Sequence, residues 1–175
     1  MATLTALPTG RYALDTVHSS IGFGVKAHGL ASFRSSFARY DAEVKDGTLV
    51  GSADVASISV DEPDFKGHLL AADFFDADAA PTITFRSKDV TIGDDGAAEV
   101  DGDLTTRGIT KPVVARGTIA SGADPFGNER LAFSLSTVVD RRDFGMTWQK
   151  ELPSGGDAVS WDVEITVDLQ FVKQA

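Results

Sequence analysis

The stretch that decides the fold is Tyr12-Ala-Leu-Asp-Thr-Val-His-Ser-Ser-Ile-Gly-Phe-Gly-Val-Lys-Ala-His28. From Val17 onward it alternates. Val17, Ile21, Phe23, Val25 and Ala27 share one face with Ser19, while His18, Ser20, Gly22, Gly24, Lys26 and His28 share the other. A period of two marks a β-strand with one apolar side. Glycines along one side suit a sheet that coils tightly, because they permit bends and close backbone approach. The segment reads as the first strand of a closed barrel.

The pattern repeats along the chain. Phe33 to Val44 reads as a second strand, and Asp46-Gly47 is a hairpin turn leading into a third, Thr48 to Val60. The period then changes. Asp61-Glu62-Pro63-Asp64 has the acidic first turn and early proline of a helix start, and Phe65, Leu69 and Ala72 follow at helical spacing. Pro81 closes that region. Thr82 to Ile92 is the fourth strand; Ile83 and Phe85 differ in parity from Val90 and Ile92, which predicts a bulge between Ser87 and Asp89. Ala98 to Thr105 is the fifth strand, and Arg107-Gly108 turns into Ile109 to Ala120, the sixth. Leu131, Phe133, Leu135, Thr137 and Val139 alternate through the seventh. Trp161, Val163, Ile165, Val167, Leu169 and Phe171 do so through the eighth, and a long connection from Arg141 to Gly156 separates these two. Eight consecutive strands joined mostly by short turns close most simply as an antiparallel up-and-down, lipocalin-like β-barrel, which leaves no exposed edges. One short helix falls between strands three and four. The whole chain, 1–175, reads as a single domain with its core over 12–173.

Composition narrows the function. The 175 residues are 42% hydrophobic and carry a formal net charge of −10, a field that repels nucleic acid and anionic surfaces. With no cysteine, disulfides, zinc–thiolate sites and thiol catalysis are excluded. No run approaches the ~18 apolar residues of a membrane span. The N-terminus has neither the basic region nor the apolar run of a signal peptide, so the expected location is cytoplasmic.

Catalytic and metal motifs are weak. His18 and Ser19 are neighbours on a strand and point to opposite faces, so they cannot form a base and nucleophile pair. His18 and His28 lie on one face but ~33 Å apart at ~3.3 Å per residue. Gly22-Phe23-Gly24-Val25-Lys26-Ala27 matches a dinucleotide fingerprint loosely, yet it sits inside a strand with no βαβ unit around it. No metal or cofactor is expected. The aromatic inventory of eleven phenylalanines and two tryptophans remains, and the inward face of an eight-stranded barrel makes of it a ligand pocket.

Five ordered blocks carry a resemblance. They are Asp15-x-x-His18-Ser19 with Phe23 and His28; Gly67-His68-Leu69-Leu70-x-x-Asp73-Phe74-Phe75-Asp76; and Pro81-x-Ile83-x-Phe85-x-Ser87. Gly102-Asp103-Leu104-Thr105-x-x-Gly108-x-Thr110-Lys111-Pro112-Val113 and Arg141-x-Asp143-Phe144-Gly145-x-x-Trp148 complete the set. From about Tyr12 to Lys173 the chain resembles the YceI-like, polyisoprenoid-binding proteins. Where many of them place an Arg-Asp pair before the helical His-Leu, this chain has Phe65 and Lys66. The resemblance implies a non-enzymatic carrier or storage protein whose barrel holds a long apolar ligand: a polyprenyl diphosphate, a quinone-like lipid or a fatty acid derivative. A homodimer is also implied. The expected cavity wall is Phe23, Val25, Phe33, Phe37, Ile83, Phe85, Leu131, Phe133, Leu135, Phe144, Trp148, Val163, Ile165 and Val167. The expected polar mouth is His18, His28, His68, Arg142 and Asp143. The alternative is an enzyme acting on a lipid in the same cavity through His18 or His68.

Overall fold

The computed structural model of the protein describes residues 4–175. It is a closed, eight-stranded antiparallel barrel with one short α-helix among the described residues, and two of the eight strands are broken. The first is β1 (Arg11–Leu14) and β2 (Ser20–Ala27), and the second is β3 (Ala31–Ser36) and β4 (Tyr40–Lys45). β5 (Thr48–Asp54), the helix α1 (Pro63–Leu70), β6 (Thr82–Ile92), β7 (Ala97–Thr106), β8 (Ile109–Ala123), β9 (Glu129–Asp140) and β10 (Asp162–Lys173) follow. Each strand pairs with the next from β4 through β10, and β1 pairs with both β4 and β10, closing the ring.

Local chemistry explains the first break. The Asp15 carboxylate accepts the Val17 amide at 3.0 Å, and the Ser19 hydroxyl donates to the Asp15 carbonyl at 2.6 Å. These bonds compete with the ladder and wind Thr16–His18 into a 3₁₀ turn. Val17, expected on the inner face, is consequently 85% exposed. The expected turns do form. Asp46 and Gly47 both have positive φ between Lys45 and Thr48, as do Arg107 and Gly108 between Thr106 and Ile109; this is the two-residue turn that suits a twisted hairpin. The register of β6 against β7 shifts between Ser87 and Asp89, where the bulge was expected.

The interior divides in two. At the end ringed by β1 and β4, Tyr12, Val44, Ile119, Leu131, Phe133 and Phe171 form a closed core, with the Phe133 and Phe171 rings edge to face at 5.4 Å. At the other end β2 replaces β1 beside β10 and carries β3 with it. Among the described residues β3 has a ladder partner only on its β2 side, and Phe37, just beyond its end, bridges to Ile58. The helix α1 stands by that open edge, its Phe65 ring 5.3 Å from Phe33. The Glu62 carboxylate caps α1, accepting from the Asp64 and Phe65 amides with Pro63 in the first turn.

Candidate functional site: an apolar cavity in the open half of the barrel

The half of the barrel beneath α1 is hollow. Its cavity measures about 480 Å³, within the roughly 300–1,000 Å³ usual for small-molecule sites. The inward residues of the ladders build its wall. Val163 pairs with Val139, Ile165 with Thr137 and Val167 with Leu135 across β9 and β10, and Ile165 pairs with Phe23 across β10 and β2. Phe85 on β6 reaches over β7: a β-carbon at Gly102 would come within 2.5 Å of its ring. Glycine at that position lets the ring approach the neighbouring strand closely. Phe23 has Phe33, Phe37 and Phe75 at 6.4, 5.8 and 5.9 Å, a ring-lined flank on the α1 side.

Of the residues expected in the wall, Phe23, Val25, Phe33, Phe37, Ile83, Phe85, Leu135, Phe144, Trp148, Val163, Ile165 and Val167 line this space. Leu131 and Phe133 do not. They have the right parity but lie too far along β9, in the closed core, each 1% exposed. The sequence reading missed Phe65, Leu69, Phe74, Phe75, Leu104, Val113, Val139 and Met146, which also face the cavity.

The polar rim needs correction. His28 and His68 line the cavity, but His18, Arg142 and Asp143 do not. His18 is on the outside, its Nδ1 2.7 Å from Asp15. Asp15 also accepts from Arg130 at 2.7 Å, and Arg130 donates to Asp124 at 2.9 Å. The Arg130 guanidinium is the main cause that holds Asp15 down at about 2, and it lowers Asp124 as well. This is a structural clamp at the strand-β1 end. Arg142 pairs with Asp140 at 2.6 Å and covers the outer Trp161 ring, and Asp143 is exposed on the same turn.

The arginine that turns inward is Arg141, the residue before the expected one. It is 3% exposed and lines the cavity. Its Nε, Nη1 and Nη2 donate to the carbonyls of Ser160, Met146 and Val159 at 2.9, 2.8 and 3.2 Å, and Trp161 lies 4.3 Å from its guanidinium. Burial pushes its pKa below the usual arginine value. No Asp, Glu or Lys among the described residues lines the cavity. His68 sits in an aromatic cluster, 5.0 Å from Phe74 and 5.2 Å from Trp148, with Asp73 at 3.4 Å from its Nε2. No group of three or more His, Cys, Asp or Glu among the described residues is placed to hold a metal ion.

A closed antiparallel barrel, hollow at one end and walled almost wholly by hydrocarbon, defines the lipocalin-like class of barrels. Within that class the chain belongs to the YceI-like domain family, whose model matches residues 12–171. A UPF0312 protein of Vibrio cholerae is 34% identical over 145 residues, 77% of each chain. One from Pseudomonas putida is 29% identical over 167 residues, 94% of this chain and 83% of the relative. The fold is shared with BcnA of Burkholderia cenocepacia at a TM-score of 0.75 and 22% identity, over 90% of this chain and 98% of that one. It is also shared with a polyisoprenoid binding domain from Saccharophagus degradans, at 0.67 and 13%, over 93% and 98%. No helix among the described residues is long and apolar enough to cross a membrane.

Proposed function

We propose that this protein binds a long-chain isoprenoid or a similar lipid inside the open half of its barrel, as a carrier or store. The observation that carries the reading is the 480 Å³ cavity walled by Phe, Val, Ile and Leu. An apolar space of that size, left unfilled by the protein's own side chains, favours an apolar guest. Each buried methylene contributes roughly 0.8 kcal/mol, so about ten of them offer a gross ~8 kcal/mol before the costs of immobilisation. The likeness to a polyisoprenoid binding domain supports an isoprenoid within that class. A cytoplasmic pool and a homodimer belong to the same proposal.

The test is extraction of the freshly purified protein into organic solvent, followed by mass spectrometry. One long apolar compound per chain is expected. A chain that releases none, and that takes up no prenyl or acyl compound when offered one, would overturn the reading. The alternative of a lipid-modifying enzyme loses His18, which lies outside the cavity. It keeps His68, whose Nε2 faces Asp73. For that alternative, His68→Asn would abolish turnover of a bound lipid while leaving its binding intact.

A further inference from the structure

The hairpin of β2 and β3 differs in charge from the rest of the chain. Between Asp15 and Asp41 there is no Asp or Glu, although the chain has 26, and Lys26, Arg34 and Arg39 fall in that interval. The net charge of −10 therefore lies wholly outside the hairpin. Its tip runs Ala27-His28-Gly29-Leu30-Ala31-Ser32-Phe33, where His28 is the one titratable side chain, and Lys26 and Arg34 flank it. His28 and Gly29 both have positive φ. They reverse the chain and leave Leu30 standing in solvent, 84% exposed.

This tip borders the hollow half. His28 and Phe33 line the cavity, as does Phe65, which is itself partly exposed beside Phe33. Leu152, in the connection before β10, leans on the same turn: a β-carbon at Gly29 would meet its Cδ1 at 3.8 Å. The flanking cations are loosely held. Arg34 reaches Glu164 at 3.2 Å with both side chains exposed, and Lys26 shares a shallow surface concavity with Arg142, Asp157 and Asp162. Ion pairs this open are weak and leave both cations able to turn to an outside anion.

We propose that the tip of the β2–β3 hairpin docks the open end of the barrel onto a phospholipid bilayer, with Leu30 entering the acyl boundary and Lys26 and Arg34 meeting lipid phosphates. An apolar residue set between cations suits the boundary between acyl chains and headgroups. The choice of a bilayer over a protein partner rests on the lipid-binding reading: an apolar guest leaves one apolar phase and returns to it, and this tip stands beside the opening. The carboxylates elsewhere on the barrel do not forbid the approach, because charges further than about 8 Å apart are largely screened at physiological salt. Phe126 supplies the contrast. It is 89% exposed, but it sits on the β8–β9 turn at the closed end, between Asp124 and Glu129.

The experiment floats the whole protein with vesicles of equal parts phosphatidylcholine and phosphatidylglycerol, with urea unfolding as the check on folding. The wild type is expected to float with them. Leu30→Ser lowers its partition about ten-fold and Leu30→Phe keeps it. The double variant Lys26→Gln, Arg34→Gln also lowers it about ten-fold and removes most of its salt dependence. Phe126→Ser changes nothing. Uptake of geranylgeraniol from the vesicles slows in Leu30→Ser, while its affinity for the same alcohol added from ethanol matches the wild type. A wild type that stays in solution, equal partition of Leu30→Ser, or an equal loss from Phe126→Ser overturns the docking and leaves the lipid reading standing. A wild-type dimer that Leu30→Ser splits, seen by sedimentation velocity, also overturns it and gives the tip to a second copy. A protein that takes up no geranylgeraniol even from ethanol overturns both.

Discussion

Replacing Phe133 by alanine separates the two halves of the barrel. Phe133 is 1% exposed and packs edge to face on Phe171 at 5.4 Å, between Ile119 on β8 and Leu169 on β10. It lies in the closed half and does not itself line the cavity, although its ladder partner Leu169 does. Truncating a buried phenylalanine removes its transfer free energy and leaves a void, a loss of about 3–5 kcal/mol. That is a large share of the roughly 5–15 kcal/mol that holds a domain together. For a chain of this length it lowers Tm by on the order of 10 °C. Urea unfolding measures the loss, and lipid titration below the unfolding transition measures the site. The expected outcome is a strongly destabilised protein whose affinity for a prenyl chain is unchanged within about two-fold. A variant as stable as the wild type, or one that folds normally and has lost its affinity, would refute the division into a packed half and a hollow half.

The converse substitution, Ile165→Trp, puts bulk into the hollow half: binding of a long chain should fall more than about ten-fold while stability changes by under about 1.5 kcal/mol, because the added ring has space to occupy. Gly102→Ala drives a β-carbon against the Phe85 ring and the Arg86 carbonyl; urea unfolding should show a loss of about 1–3 kcal/mol, and a neutral result would mean that Phe85 does not lie over this strand. The third concerns acid. Asp15 is depressed to about 2 and Asp124 is depressed too, both chiefly by Arg130. A carboxylate with a lowered folded-state pKa gives stability that is complete above its unfolded value near ~3.9 and is lost as pH falls towards the folded value. Urea midpoints should therefore drop for the wild type between about pH 5 and pH 2, and drop much less for Arg130→Gln, which begins lower at neutral pH. Equal acid slopes would remove the clamp.

The barrel, the helix start at Pro63, both two-residue turns and the β6 bulge were legible in the sequence because each rests on local chemistry: parity, a cap, a positive φ. Depth was not legible. Parity assigns Leu131, Phe133 and Leu135 to one face of β9, yet only Leu135 reaches the cavity, since how far along a strand the packing ends depends on what stands opposite. The break at Asp15–Ser19 was hidden because Val17 fits the alternation; side-chain bonds to the backbone override the apolar pattern there. Arg141 and Arg142 are told apart only by the 3₁₀ turn, Arg141–Phe144, that rotates the first inward.

The two tryptophans give the most direct test of the central claim. Trp148 lines the cavity, whereas Trp161 lies outside it beneath Arg141 and Arg142. A brominated long-chain lipid quenches an indole only on close approach. With Trp161→Phe, leaving Trp148 as the sole tryptophan, titration with such a lipid should quench the emission to a plateau at one equivalent per chain. With Trp148→Phe the emission should hardly change. Quenching of Trp161 alone, or of neither, would contradict the proposal that the hollow half of this barrel receives an apolar chain.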